Sequence, residues 1–294
     1  MKKFKKLVSL FAISLLIFCI DAQAQFDFKS PLELPKNEKY SIVELICKSS
    51  DGKNIYGVAY IPKGPQIKKY PTVIFSHGYS SSHMFHSYYG CSLAENGIAC
   101  YSFDFCGGSN ISKSDGKTTE MSVLTEKRDL GAVLTTAKTW DFVDPANIFL
   151  CGESQGGFVS ALAAVDHEAD LKGMVLLYPA FHIPDAMRKM FPDKQSIKDE
   201  MDFPANMKIG RCYVDAVYDM DAYKATNGFK KEVLIIHGDK DELVPLAFAE
   251  RAAKEYPWAE LKVIKGANHG YYSKENREEV MGYFVNYVIK KSNK

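Results

Sequence analysis

The sequence has no surplus of charge of either sign: 37 lysines and arginines stand against 36 aspartates and glutamates, a net +1. With no basic run after residue 24 either, nothing points to nucleic-acid or anionic-membrane binding. There is no internal repeat and no composition typical of disorder; 46% of residues are hydrophobic and 25% charged, ordinary for a globular enzyme. No C-x-x-C spacing occurs. His83 and His86 share a helical face at spacing three, but no third ligand accompanies them, so neither a metal nor a cofactor is expected. After residue 24, no stretch is apolar for long enough to span a bilayer.

The N-terminus differs from the rest. Lys2, Lys3, Lys5 and Lys6 precede an apolar run, Leu7 to Ile20, and then Ala22-Gln23-Ala24. That order is a secretory signal peptide over residues 1–24, with a mature chain beginning at Gln25 and a periplasmic or secreted destination. The run is shorter than the ~20 residues a membrane anchor needs. Removing it takes away four lysines and Asp21 and leaves a net charge of −2. Six cysteines remain, a number that permits disulfides in an exported chain. Cys47, Cys100 and Cys151 lie in apolar, strand-like runs, where buried free thiols are common, so mostly free thiols are expected.

Residues 25–40 contain Pro31 and Pro35 and read as an extended arm. A hairpin follows, Ser41 to Lys48 and Asn54 to Pro62, around an Asp51-Gly52 turn. Apolar strands are expected at Pro71–Ser76, Ile98–Phe105, Ile148–Cys151, Lys172–Tyr178, Glu232–His237 and Glu260–Ile264. Helices are expected at Ser122–Lys138, Phe158–Val165, Leu246–Tyr256 and from about Ser273 onward. Near-continuous apolar strands alternating with helices define an α/β fold: a mostly parallel sheet covered on both faces. The domain is expected to span 41–294. Residues 181–229 interrupt the alternation and are too long for a loop. They read as a small helical cap over the C-terminal edge of the sheet, the edge where such folds bind ligands.

The Ile148 strand runs into Gly152-Glu153-Ser154-Gln155-Gly156, a G-x-S-x-G turn from strand to helix. A serine there is exposed on a strained turn, and side chains two before and two after would collide with the strand and helix. A serine nucleophile needs a histidine to take its proton and a carboxylate to hold that histidine. In folds with such an elbow the chain order is serine, acid, histidine. Asp241 follows the Glu232 strand and His269 the last strand, so both sit on the same sheet edge as Ser154. Asp239 and Glu242 rival Asp241 as the acid. His237 closes a strand and fits a structural role better than that of the base.

These motifs resemble the α/β hydrolases of the serine aminopeptidase-like (S33-like) group, particularly bacterial cinnamoyl and feruloyl esterases. The resemblance covers about residues 41–290. It is carried by His77-Gly78-Tyr79, Phe103-Asp104-Phe105 with Gly107 and Ser109, Gly152–Gly157, His237-Gly238-Asp239-Lys240-Asp241 with Val244-Pro245, and Gly266-Ala267-Asn268-His269-Gly270. It implies Asp241 as the acid, His269 as the base, and the backbone N–H groups of Tyr79 and Gln155 as the oxyanion donors. It also implies an inserted segment that contacts the phenolic end of a hydroxycinnamate, with Tyr213 placed for that contact. Cys106 departs from the arginine or asparagine usual after Asp104, which bears on substrate rather than chemistry.

Three functions compete. The first is a carboxylic ester hydrolase acting on small-molecule or polysaccharide-linked esters, of feruloyl type, without a cofactor. The second is a peptidase releasing N-terminal residues. It requires an acidic pocket for a free amine, for which Asp185, Asp193, Glu200 or Asp215 is available. The third is a non-catalytic scaffold, which the presence of all three triad residue types disfavours.

Overall fold

Tyr40–Lys48 (β1) and Asn54–Pro62 (β2) pair antiparallel, with Lys48 opposite Asn54 and Gly52 in the turn at φ +85°. This hairpin opens the computed structural model of the protein, which describes residues 38–64 and 69–293. The leader at 1–24 and most of the 25–40 arm lie outside the described residues.

The chain then alternates. Tyr70–Ser76 (β3) leads through a short turn of 3-10 helix at His83–His86 into Ser87–Glu95 (α1), then Ala99–Phe103 (β4) and Val123–Ala137 (α2). Val143–Glu153 (β5) passes directly into Ser154–Asp166 (α3), followed by Gly173–Leu177 (β6). After β6 come Ile183–Met190 (α4), Glu200–Phe203 (β7), Met207–Gly210 (β8), Arg211–Asp215 (α5) and Ala222–Thr226 (α6). Val233–Gly238 (β9), Leu246–Glu255 (α7), Ala259–Ile264 (β10) and Lys274–Ser292 (α8) complete it. The main sheet has the order β1-β2-β4-β3-β5-β6-β9-β10. Every pairing from β4 to β10 is parallel; only the two pairings of β2 are antiparallel. This is the mostly parallel sheet expected from the sequence.

The apolar strands are continuous because both faces of the sheet are covered. On β3, Ile74 packs into one core cluster while Val73 and Phe75 pack into the other. On β5, Leu150 faces the first and Phe149 and Cys151 the second. Helices α2, α3 and α7 cover the first face, and α1 and α8 the second. Ser122 caps α2: its hydroxyl accepts from Thr125 N while Thr125 Oγ1 accepts from Ser122 N. All six cysteines in the described residues are free, four of them buried.

The inserted segment between β6 and β9 is not wholly helical. Its centre is the β7–β8 hairpin, with Phe203 opposite Met207. Ala205 and Asn206 make the reversal at φ +61° and +52°, a left-handed turn that suits the twist of a hairpin. The segment lies tight on the body. A Cβ on Gly210 would stand 2.0 Å from the Thr119 carbonyl oxygen.

Candidate active site

The site starts where β5 becomes α3 without a loop. Ser154 is the first helical residue and has φ +49°, a conformation that a non-glycine residue adopts only under constraint. The constraint comes from close backbone packing. A Cβ on Gly152 would fall 2.2 Å from the Gly156 carbonyl oxygen, and one on Gly156 would fall 2.3 Å from those of Ser76 and His77. Both positions of the motif therefore exclude any side chain. Gln155 is the second residue of α3, so its N–H has no carbonyl partner within the helix and adds to the positive end of the helix dipole.

Asp241 and His269 come from the neighbouring strand ends, after β9 and β10. His269 Nδ1 lies 2.7 Å from Asp241 Oδ2. Asp241 Oδ1 accepts from the Leu243 and Val244 N–H groups, both at 2.9 Å. Burial would raise this carboxyl. Hydrogen bonds from His237, His269 and the backbone outweigh it and hold the group well below the usual carboxylate range. Asp239, the rival acid, is exposed and accepts from Gly266 N at 2.6 Å. It ties the turn after β9 to the turn after β10. His237 is buried; its Nε2 donates to the Val244 carbonyl at 2.8 Å and lies 3.2 Å from Asp241 Oδ2. It supports the acid from behind.

The other residues singled out in the sequence fall on both sides of this pair. Tyr79 follows β3; its hydroxyl donates to the Pro204 carbonyl of the inserted segment at 3.2 Å. Its own turn is held by buried His77, whose Nδ1 donates to the Gly78 carbonyl at 2.7 Å while Nε2 accepts from Phe105 N at 3.1 Å. Burial lowers the His77 pKa, in keeping with one donor and one acceptor nitrogen. Tyr213 is buried, and its hydroxyl donates to Gln155 Oε1 at 2.6 Å. His83 and His86 do not converge on one point. His83 Nδ1 meets Asp104 at 2.8 Å, and His86 meets Ser102 Oγ at 2.7 Å and Glu153 Oε1 at 3.2 Å. Among the described residues, no group of three or more histidine, cysteine, aspartate or glutamate side chains is placed to hold a metal ion.

Sequence reasoning missed the support of the histidine. Tyr178, at φ +37°, tilts its ring against His269 with centroids 4.4 Å apart and donates its hydroxyl to Glu153 Oε2 at 2.7 Å. Burial would raise the Glu153 carboxyl; the facing His86, Tyr178 and Gly78 N–H hold it down at about 2 instead. Glu153 is the unspecified residue of the G-x-S-x-G motif, so the motif carries no signal for it. His182, the residue before α4, lacks a turn motif in the sequence that would mark it. It senses the charges of His269 and Asp241, and burial brings its pKa down to about 4.

A strand–helix elbow bearing a serine, in a sheet of this order, with an aspartate–histidine pair on adjacent strand ends, defines an α/β hydrolase. The profile of the family described as "Serine aminopeptidase, S33" matches residues 68–202, and over that stretch the chain is similar to the S33-like α/β hydrolases. It is 25% identical over 253 residues to the AB hydrolase superfamily protein YisY of Bacillus subtilis, covering 73% of this chain and 91% of that one. The structure of Est1E from Butyrivibrio proteoclasticus with bound ferulic acid superposes with a TM-score of 0.76. The two chains are 28% identical, and the match covers 85% of this chain and all (100%) of Est1E. The esterase EaEST from Exiguobacterium antarcticum shares the fold, at 20% identity and a TM-score of 0.63, over 84% of this chain and 99% of that one.

Proposed function

We propose that this hydrolase is a serine carboxylic ester hydrolase acting on hydroxycinnamoyl esters, of the feruloyl type found on plant polysaccharide. The observation that carries the chemistry is the 2.7 Å contact of His269 Nδ1 with Asp241, on the same sheet edge as a serine on a strained helix N-terminus, with β6 between β9 and the β5 strand that ends at the serine. With Nδ1–H turned to Asp241, Nε2 is the lone-pair nitrogen. Ser154 Oγ attacks the ester carbonyl as Nε2 takes its proton. The oxyanion is held by the N–H groups of Tyr79 and Gln155. His269 then passes the proton to the leaving alcohol. Water, activated at the same nitrogen, attacks the acyl-serine and releases the acid. Asp241 stays ionised throughout and stabilises the imidazolium. The aromatic acyl group is supported by the likeness to Est1E with ferulic acid.

The family description favours a second reading, an aminopeptidase. It needs a carboxylate free to hold a substrate amine. In the inserted segment Asp185 pairs with Arg188, Asp215 pairs with Arg211 at 3.1 Å, and Asp193 accepts from Gln195 N at 2.9 Å, while Glu200, the fourth candidate, is exposed at the start of β7. The engagement of three of the four supports the ester reading. Two measurements on the mature protein decide between them: fluorophosphonate labelling, and relative turnover of feruloyl, acetyl and butyryl esters and an aminoacyl anilide. Labelling at Ser154 with preference for the feruloyl ester is expected. Preferred turnover of the anilide would replace the reading, and absence of labelling would remove the catalytic serine. Export is part of the proposal, on the 1–24 pattern, and N-terminal sequencing of the mature chain tests it.

A further inference from the structure

Both residues that offer oxyanion N–H groups have side chains fastened to the inserted segment. The Tyr79 hydroxyl reaches the Pro204 carbonyl, and its ring meets those of Phe203 and Tyr213 edge-on at 5.8 and 6.2 Å. Gln155 is held at both ends of its amide. Nε2 donates to Glu126 Oε2 at 2.8 Å on α2, and Oε1 accepts from the Tyr213 hydroxyl at 2.6 Å on α5. All three members are sealed from solvent: Glu126 and Gln155 are 1% exposed and Tyr213 3%.

Glu126 is an unusual residue to find there. None of the ion pairs among the described residues includes it. Burial pushes its carboxyl well above the usual carboxylate range, which favours the neutral acid. A neutral carboxyl accepts from the Gln155 amide without needing a counter-charge. An isolated buried carboxylate would be costly.

We propose that Tyr213 and Glu126 are positioning residues for the oxyanion hole, and that the inserted segment thereby sets the rate of the reaction on every ester. The inference rests on the serine hydrolase reading. An oxyanion donor acts only if its N–H points at the oxyanion position before the charge develops. The N–H of Gln155 has no intrahelical partner to restrain it. Clamping both ends of the buried side chain limits rotation about its Cα and so the orientation of the first turn of α3. Tyr213 spends its hydroxyl on this clamp, directed inward.

The test compares Tyr213→Phe, Glu126→Leu and Glu126→Gln with the full-length wild type on acetyl, butyryl, cinnamoyl and feruloyl esters. Misplacement by about 1 Å costs up to ~100-fold in rate, and loss of one oxyanion donor ~100- to 1000-fold. A partial loosening is expected to lower kcat by roughly 10- to 100-fold on all four esters, with KM within about twofold. Affinity for a trifluoromethyl ketone, which forms the tetrahedral adduct, should fall by the same factor. Glu126→Gln keeps a neutral acceptor for the Gln155 amide and should restore kcat to within about threefold of wild type; Glu126→Leu should not. A loss confined to the feruloyl ester would mean that Tyr213 binds a phenol instead. A lower Tm with unchanged kcat and ketone affinity would reduce both residues to packing. Either result overturns the proposal. A wild type that is labelled at Ser154 and cleaves esters, beside variants that match it, refutes this inference alone. A wild type that does neither refutes the serine hydrolase reading itself.

Discussion

Asp241 binds His269, His237 and two backbone N–H groups, whereas Asp239, two residues away, binds one N–H in the next turn. The same residue type therefore does different work. Asp241→Asn offers His269 Nδ1 an amide in place of a carboxylate and favours the wrong imidazole tautomer. We predict a loss in kcat of about 10⁴-fold, as in other triads. Asp239→Asn should keep near-normal kcat and lose only about 0.5–1.5 kcal/mol of stability from the weakened Gly266 contact. The opposite ranking in steady-state assays would move the acid to Asp239. Ser154→Ala and His269→Ala should each abolish turnover, and the double variant should be no worse than either single one, since such groups act as a unit. Circular dichroism should show an unchanged fold. Retained activity in His269→Ala, with loss in His237→Ala, would identify a different base.

At the scale of elements, the decisive feature is the direct passage from β5 to α3. Gly156, the third residue of α3, lies against the end of β3, on the Ser76 and His77 carbonyls, which cannot rotate away. Gly156→Ala should destabilise by at least the ~1–3 kcal/mol typical of overpacking and lower activity further by displacing Ser154. A urea midpoint equal to that of wild type would show that β3 and α3 are free to separate. The strands and long helices were readable because their period matches their burial. Helix α1 was not, because only Tyr89, Gly90, Leu93 and Ala94 are buried and the run carries a glycine against the Tyr60 ring. The β7–β8 hairpin was not either. It turns through Pro204, Ala205 and Asn206 rather than an Asn-Gly or Asp-Gly pair, and its strands are four residues each.

Over the whole molecule, the elbow is tied to three distant parts of the chain through Glu153. Its carboxyl meets His86 beside α1, Tyr178 after β6 and Gly78 after β3. The folded pKa of about 2 lies below the ordinary 4.5. A depressed carboxylate contributes stability above its unfolded pKa and loses it as pH falls through its folded value. Glu153 should therefore contribute on the order of 3 kcal/mol at neutral pH, declining between about pH 4.5 and 2. Glu153→Gln should be less stable at pH 7 and lose less between pH 5 and 3. Parallel loss in the two proteins, measured by urea midpoints across that range, would exclude Glu153 as an acid sensor.

The sequence by itself determined the strand–helix alternation, the parallel sheet, the place of the insertion and the glycines around Ser154. Each of these is local: it follows from apolar period, turn chemistry or the steric limits of one backbone stretch. It also put Asp241 and His269 on the same edge as Ser154, since parallel strands share one C-terminal end. Only the tertiary structure decided which groups touch. The contacts of Glu126 with Gln155, Tyr213 with Gln155, Glu153 with His86, and Tyr178 with His269 join residues 29 or more apart, and one partner of each lies outside the motifs. Such pairings depend on how β-strand ends, α2 and the inserted segment pack together, and that packing has no period in the chain to read.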